Sequence, residues 1–437
     1  MKMHSSFSAG LWIISTALVI SGCHSNSSSS HSGSGKKPGL AFAPDNDGLV
    51  LPAGFHAIVV ARNLGAARQI AVAPNGDIYI GLNRMSHGGG IVALRDTDGD
   101  GQADVIRYFG NGHGNGIGIH DGWLYWATDT AVLRFKMLPG SLVPDLDAQM
   151  VARLPAQDEH RARTIAFDDS GHLYVNIGAP SNACQVEDRT KGSPGIMPCP
   201  LLALHGGIWQ FNAGRENQTQ QQGGRRYATG LRNCVAITWN IQANHLFAMM
   251  QGRDQLFQLF PQYYTDTMSA ELPAEEFLEI KDQGNYGWPY AYYDELRKSL
   301  MVMPEYGGNG KKEVPKGKYQ DPIMAFPGHW APDGLMFYTG TAFPASYRNG
   351  AFIAFHGSWN RAPLPQAGYD IVFVPFKGIK PAGSFSFFAR GFAETPVIKS
   401  PADAKHRPVG LAQGPDGSLY ITDDAGGSVW RIVYTGP

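Results

Sequence analysis

The chain has 437 residues, more than one average domain needs yet within reach of a single large all-β architecture. It holds 54 glycines and 29 prolines, well beyond the roughly 52 together that ordinary usage of about 7% and about 5% gives, so long helices are excluded as the main element. A hydrophobic share of 43% excludes a disordered chain, 17% charged residues exclude a coiled coil, and a formal net charge of -1 supplies no field that would recruit nucleic acid.

In chain order, Lys2 precedes an apolar run from Leu11 to Ile20, the length of a secretory h-region and too short to span a bilayer. It ends in Ile20-Ser21-Gly22-Cys23, which resembles a bacterial lipobox. Residues 1–22 are therefore expected to be a lipoprotein signal peptide, and Cys23 the lipidated residue. His24 is not the aspartate of an inner-membrane retention signal, so the expected destination is the outer membrane, facing the periplasm. The Ser-rich stretch from Ser25 to Gly35 reads as a flexible tether, with residues 23–50 leading into a folded domain over 51–437.

Three cysteines remain in a compartment where disulfides persist. Cys184 and Cys199 flank a Pro/Gly-rich insertion, and a bridge between them would stabilise by about 3 kcal/mol on the chain-entropy model. Cys234 sits in an apolar context and is expected to be a buried free thiol. No C-x-x-C-H string attaches a haem.

A repeat dominates the mature chain. A turn containing Gly or Asn followed by an apolar strand recurs as Asn75-Gly76-Asp77-Ile78-Tyr79, Asp121-Gly122-Trp123-Leu124-Tyr125, Ser170-Gly171-His172-Leu173-Tyr174 and Asp416-Gly417-Ser418-Leu419-Tyr420. Weaker copies end at Phe247 and Phe352. The first spacings are near the roughly 40–50 residues of a four-stranded propeller blade. Each copy leads into a second strand phrase, as hairpins do. Six copies point to an all-β, six-bladed β-propeller, with Phe55-His56-Ala57-Ile58-Val59-Val60 completing the last blade beside the C-terminal strand; a β-sandwich is the alternative.

Three uncommon strings follow in order between the repeats: Gly230-Leu231-Arg232-Asn233, Gly284-Asn285-Tyr286-Gly287-Trp288-Pro289 and His356-Gly357-Ser358-Trp359-Asn360-Arg361. Together they resemble the soluble-type pyrroloquinoline quinone (PQQ) dependent sugar dehydrogenases, most closely the sorbosone dehydrogenase-like branch. The resemblance implies a six-bladed propeller with PQQ and Ca²⁺ on its top face. Such chemistry needs fixed cations for a planar tricarboxylate, a charge to polarise its carbonyl, and a base for the alcohol proton.

By resemblance, His160 takes the base role, with Glu159 orienting its ring, and Arg232 stabilises charge on the quinone. Arg407, Arg361, His329 and Asn233 are the implied cofactor contacts. Gly252 and Arg253, in Gln251-Gly252-Arg253-Asp254, are the implied main-chain Ca²⁺ ligands. The nearby Glu275, Glu276 and Glu279 read as a solvated face.

A second calcium candidate stands apart from the resemblance. From Asp96 the loop places Asp96, Asp98, Asp100 and Asp104 in an EF-type pattern with Gly101 sixth, though the twelfth position is Arg107 instead of a bidentate glutamate. The expected function is PQQ- and Ca²⁺-dependent oxidation of a sugar, an aldose or a sorbosone-like aldehyde, with electrons passed to an external cytochrome or quinone. The alternative is a cofactor-free propeller acting as a carbohydrate-binding scaffold, or a metal-dependent lactone hydrolase.

Overall fold

The structure is a computed structural model and describes residues 39–436. The signal segment, Cys23 and most of the tether lie outside the described residues.

Six sheets of four antiparallel strands, the third extended by the short parallel strand Gly284–Asn285, follow one another along the chain. The first four begin with the strands Ala67–Val72, Gly114–His120, Ile165–Phe167 and Ala236–Asn240, and the fifth with Pro332–Phe337. The sixth begins with Pro408–Gln413 and takes Phe55–Ala61 as its outermost strand, paired antiparallel with Val429–Tyr434. Each of these six leading strands packs against the next, and Pro408–Gln413 packs back on Ala67–Val72, so they close a ring. The chain is thus a six-bladed β-propeller, its ring sealed by the N-terminal strand.

The repeat has a physical purpose. Tyr79, Tyr125 and Tyr174 lie on the second strands of the first three blades and are buried. The Tyr79 hydroxyl donates to the Leu142 carbonyl at 2.9 Å and that of Tyr125 to the Ala213 carbonyl at 3.0 Å, each reaching into the following blade. One aromatic per repeat therefore fills the gap between blades and satisfies its own hydroxyl. Phe247 and Phe352 occupy the same place without the hydroxyl and are fully buried.

Close packing at the axis explains part of the glycine content. A Cβ on Gly334 would come within 2.0 Å of the Val409 carbonyl oxygen on the neighbouring leading strand. Arg68 stitches the axis together: buried, it donates to Asn115 Oδ1 at 2.9 Å, Asp424 Oδ2 at 2.8 Å and Asp333 Oδ2 at 2.9 Å. Packing begins upstream of Leu51. The Ala41 amide donates to the Asp100 carbonyl at 2.8 Å, and Asp47 accepts from the Trp430 indole at 2.8 Å.

Candidate active site

Loops before and within the third, fourth and fifth blades surround a cavity of about 310 Å³, a size suited to a small ligand. His160 enters it from the loop before Ile165–Phe167, and Arg232 from the loop before Ala236–Asn240.

The His160 ring is set by one bond: Nδ1 lies 2.5 Å from the Ala179 carbonyl oxygen. A carbonyl only accepts, so Nδ1 carries the proton and the neutral ring keeps its lone pair on Nε2. Nε2 has no hydrogen-bond partner among the described residues. Burial, and then the positive charge of Arg232, push the His160 pKa down to about 3. The ring is therefore neutral, with the Nε2 lone pair unprotonated.

Arg232 is almost fully buried. Its guanidinium donates to the Gly252 carbonyl at 2.8 Å, to Asn182 Oδ1 at 3.0 Å and to Asp254 Oδ2 at 3.0 Å. Asp254 also accepts from Arg189 at 3.2 Å and from Asn360 Nδ2 at 2.8 Å. Burial alone would raise the Asp254 carboxyl, but Arg232, His329 and Arg189 outweigh it and hold the group at about 2. His329 lies close by, its Nδ1 3.7 Å from Asp254 and its Nε2 2.8 Å from the Ser269 carbonyl.

Several lining residues escape the sequence. Arg189 comes from the insertion closed by Cys184 and Cys199, which are bonded to each other in the structure, while Cys234 is a buried free thiol. Trp359 and Asn360 line the cavity from the His-Gly-Ser-Trp-Asn-Arg phrase, the Trp359 ring 58% exposed. Glu275 lines it from the strand Glu275–Ile280. Its carboxylate accepts from the Gly252 amide at 3.2 Å and the Ala331 amide at 3.3 Å.

Some expectations are corrected. Glu275 and Glu276 are buried, not solvated, and burial pushes both up to about 8. Glu159 does not orient His160: it pairs with Arg189 at 3.3 Å, and the Ala179 carbonyl sets the ring. Arg361 does not line the cavity. Its guanidinium is spent on the Ala270 carbonyl at 2.8 Å, the Gly328 carbonyl at 2.7 Å and Glu271 at 2.5 Å.

Arg407 also lies outside this lining, donating to the His356 and Gly357 carbonyls at 3.0 and 2.8 Å and bordering a separate groove with Arg84 and Asp424. Asn233 sits behind the wall and donates to Gln251 Oε1 at 2.9 Å. The Arg253 side chain is buried in an ion pair with Glu305, while Gly252 lines the cavity. In the Asp96 loop, ligand atoms of Asp96, Asp98 and Asp104 come within 4.8 Å of one another. Asp100 stands apart from that group, its carboxylate accepting from the Gln102 amide at 2.7 Å.

The TrAA12-like family model matches residues 49–435. An uncharacterised protein of Borreliella burgdorferi is 30% identical over 304 residues, covering 69% of this chain and 65% of that protein. A pyrroloquinoline quinone-dependent pyranose dehydrogenase of Coprinopsis cinerea is 26% identical over 282 residues, 55% of this chain and 36% of that protein. The chain thus spans less than two thirds of the length of either relative.

In fold, the chain is similar to the holo form of the pyranose dehydrogenase PQQ domain from Coprinopsis cinerea, with TM-score 0.70, 18% identity, and 91% of this chain and 98% of that chain covered. It is likewise similar to a calcium structure of the Trichoderma reesei carbohydrate-active enzymes family AA12, with TM-score 0.71, 18% identity, and 92% and 100% of the two chains covered. A family match spanning almost all of the propeller decides the matter: the chain belongs to the TrAA12-like family.

Proposed function

We propose that the chain is a PQQ- and Ca²⁺-dependent sugar dehydrogenase, oxidising a pyranose or related aldose, or a sorbosone-like aldehyde, and passing electrons to an external cytochrome or quinone. The carrying observation is the pairing of an unprotonated His160 Nε2 with a buried Arg232 in one cavity.

The residues fit a planar polyanion held with a hard cation. Arg232 Nε is buried without a hydrogen-bond partner among the described residues, so the guanidinium retains donor capacity. Arg189 adds a second positive charge, the Gly252 carbonyl and the Glu275 carboxyl provide hard oxygens, and Trp359 offers a flat apolar surface. Arg232 and Arg189 would hold the cofactor, and Gly252, with the Arg253 main chain, the calcium. When bound, PQQ supplies a two-electron acceptor for the hydride leaving the sugar carbon.

His160 Nε2 accepts the proton of the hydroxyl being oxidised, so the sugar loses one hydride and one proton. Ala179 keeps the ring in the tautomer that can do this. Arg232, fixed by Asp254 and Asn182, places positive charge where negative charge develops. The exposed Trp359 ring forms a platform for the apolar face of a pyranose.

The test is a titration of metal-free, cofactor-free protein with PQQ and Ca²⁺, read by absorbance and by dye-linked turnover over a panel of aldoses. His160→Ala is expected to bind the cofactor normally and lose about 10²–10⁴ in turnover. Failure of the wild-type protein to bind PQQ with Ca²⁺ present overturns the proposal.

A further inference from the structure

His160 adopts a left-handed backbone conformation, with φ of 50°. For a residue with a Cβ this is strained, and it persists only where the surroundings enforce it. The side chain of Gln157 is bonded to this turn. Its Nε2 lies within hydrogen-bond distance of the main-chain carbonyls of Glu159 at 2.7 Å, His160 at 2.9 Å and Gly178 at 3.0 Å, three acceptors that share its two N–H groups. One amide thus grips both the turn that bears the histidine and the segment that bears the acceptor of its Nδ1 proton.

The other end of the amide is fixed as well. Gln157 Oε1 accepts from Arg163 Nη2 at 3.0 Å and from His205 Nδ1 at 2.9 Å. Arg163 is fully buried and tied to the Asp129 and Pro155 carbonyls at 3.0 and 2.8 Å. With two donors committed to Oε1, the amide cannot flip without facing N–H against N–H. Gly178 completes the clamp from below: a Cβ there would lie 2.7 Å from His160 Cβ, so this closeness requires glycine.

We infer that Gln157 is a positioning residue for the proton-accepting histidine: by holding the Glu159, His160 and Gly178 carbonyls together it directs Nδ1–H to Ala179 and leaves Nε2 to the cavity. The inference rests on the base role proposed for His160, and its test separates the two. In apo protein, ¹⁵N spectra of the His160 ring should show one neutral tautomer, protonated at Nδ1. Gln157→Ala and the size-matched Gln157→Met should show a mixture of tautomers, whereas His205→Ala, which leaves the three carbonyl contacts in place, should not.

In loaded enzyme the two Gln157 variants should lose about 10- to 100-fold in kcat with KM and PQQ affinity little changed. A single Nδ1–H tautomer in both Gln157 variants overturns the inference, and so does failure of both to fold, since the residue would then serve the fold itself. Should His160→Ala retain full turnover, the base role falls while the tautomer result stands on its own.

Discussion

Asp254 is the residue on which the cavity's charges converge, and Asp254→Asn tests whether it holds them. The substitution keeps the shape but removes the charge that compensates Arg232, which is only 4% exposed. The carboxyl is held at about 2 instead of 3.8, and each unit is about 1.4 kcal/mol, so its charged form contributes roughly 2–3 kcal/mol to folding. Its side chain is 13% exposed, so solvent screening removes little of this. Because the folded value lies below the unfolded one, the contribution is complete above about pH 4 and is lost as pH falls through about 2. Guanidinium chloride unfolding of chelated protein should show the variant less stable by that amount at pH 7, with the gap narrowing steadily below pH 4. An equal gap at pH 7 and pH 2.5 would refute the electrostatic argument and leave packing as the cause.

His160 in apo protein should remain neutral through pH 5 by NMR titration, and Arg232→Gln should raise its pKa while leaving it below 6.5, since burial is the larger cause; a wild-type value near 6.5 refutes this. That shift also means the group's contribution to stability is present above pH 6.5 and drains away toward pH 3. Cys184→Ser with Cys199→Ser should cost about 3 kcal/mol of stability and weaken the Arg189 to Glu159 pairing, and non-reducing peptide mapping of wild type should recover the bonded pair. Intact-mass analysis of membrane-extracted protein should show a diacylglyceryl group on Cys23, and an unlipidated mature chain starting elsewhere would overturn the lipobox assignment.

The propeller was legible because one aromatic per blade does the same physical work, and a periodic cause leaves a periodic trace. Its closure by Phe55–Ala61 was legible for a related reason: a strand phrase without a partner nearby needs one at the other end. The site was legible where chemistry and string coincide, at His160 and Arg232, and at Gly252 and His329, which also line the cavity. Arg189 arrives from an insertion whose direction is set by the Cys184 to Cys199 bond, and nothing in its neighbours signals where that loop folds back.

Glu275 and Glu276 look like the polar face of a strand, yet loops bearing Gly252 and Ala331 cover Glu275 and bind it. In His356-Gly357-Ser358-Trp359-Asn360-Arg361 the arginine is the obvious cation, but the turn presents Trp359 and Asn360 to the cavity and sends Arg361 to Glu271. Gln157 has no motif at all. Its importance lies in which three carbonyls it meets, and that is a property of the folded loop.

The pairing of Phe55–Ala61 with Val429–Tyr434 sets an order of events. A ribosome releases the first of these strands long before the second exists, so the ring has to wait for its own tail. Until then five blades can gather their contacts, while the sixth holds two paired strands at most and the seam stays open. Closing so long a loop is slow, and the waiting strand is an unpaired edge that other chains could occupy. A cell making this protein has reason to keep its first strand covered until the last is made, and loss of Val429–Tyr434 would leave Phe55–Ala61 without its partner in the sixth blade.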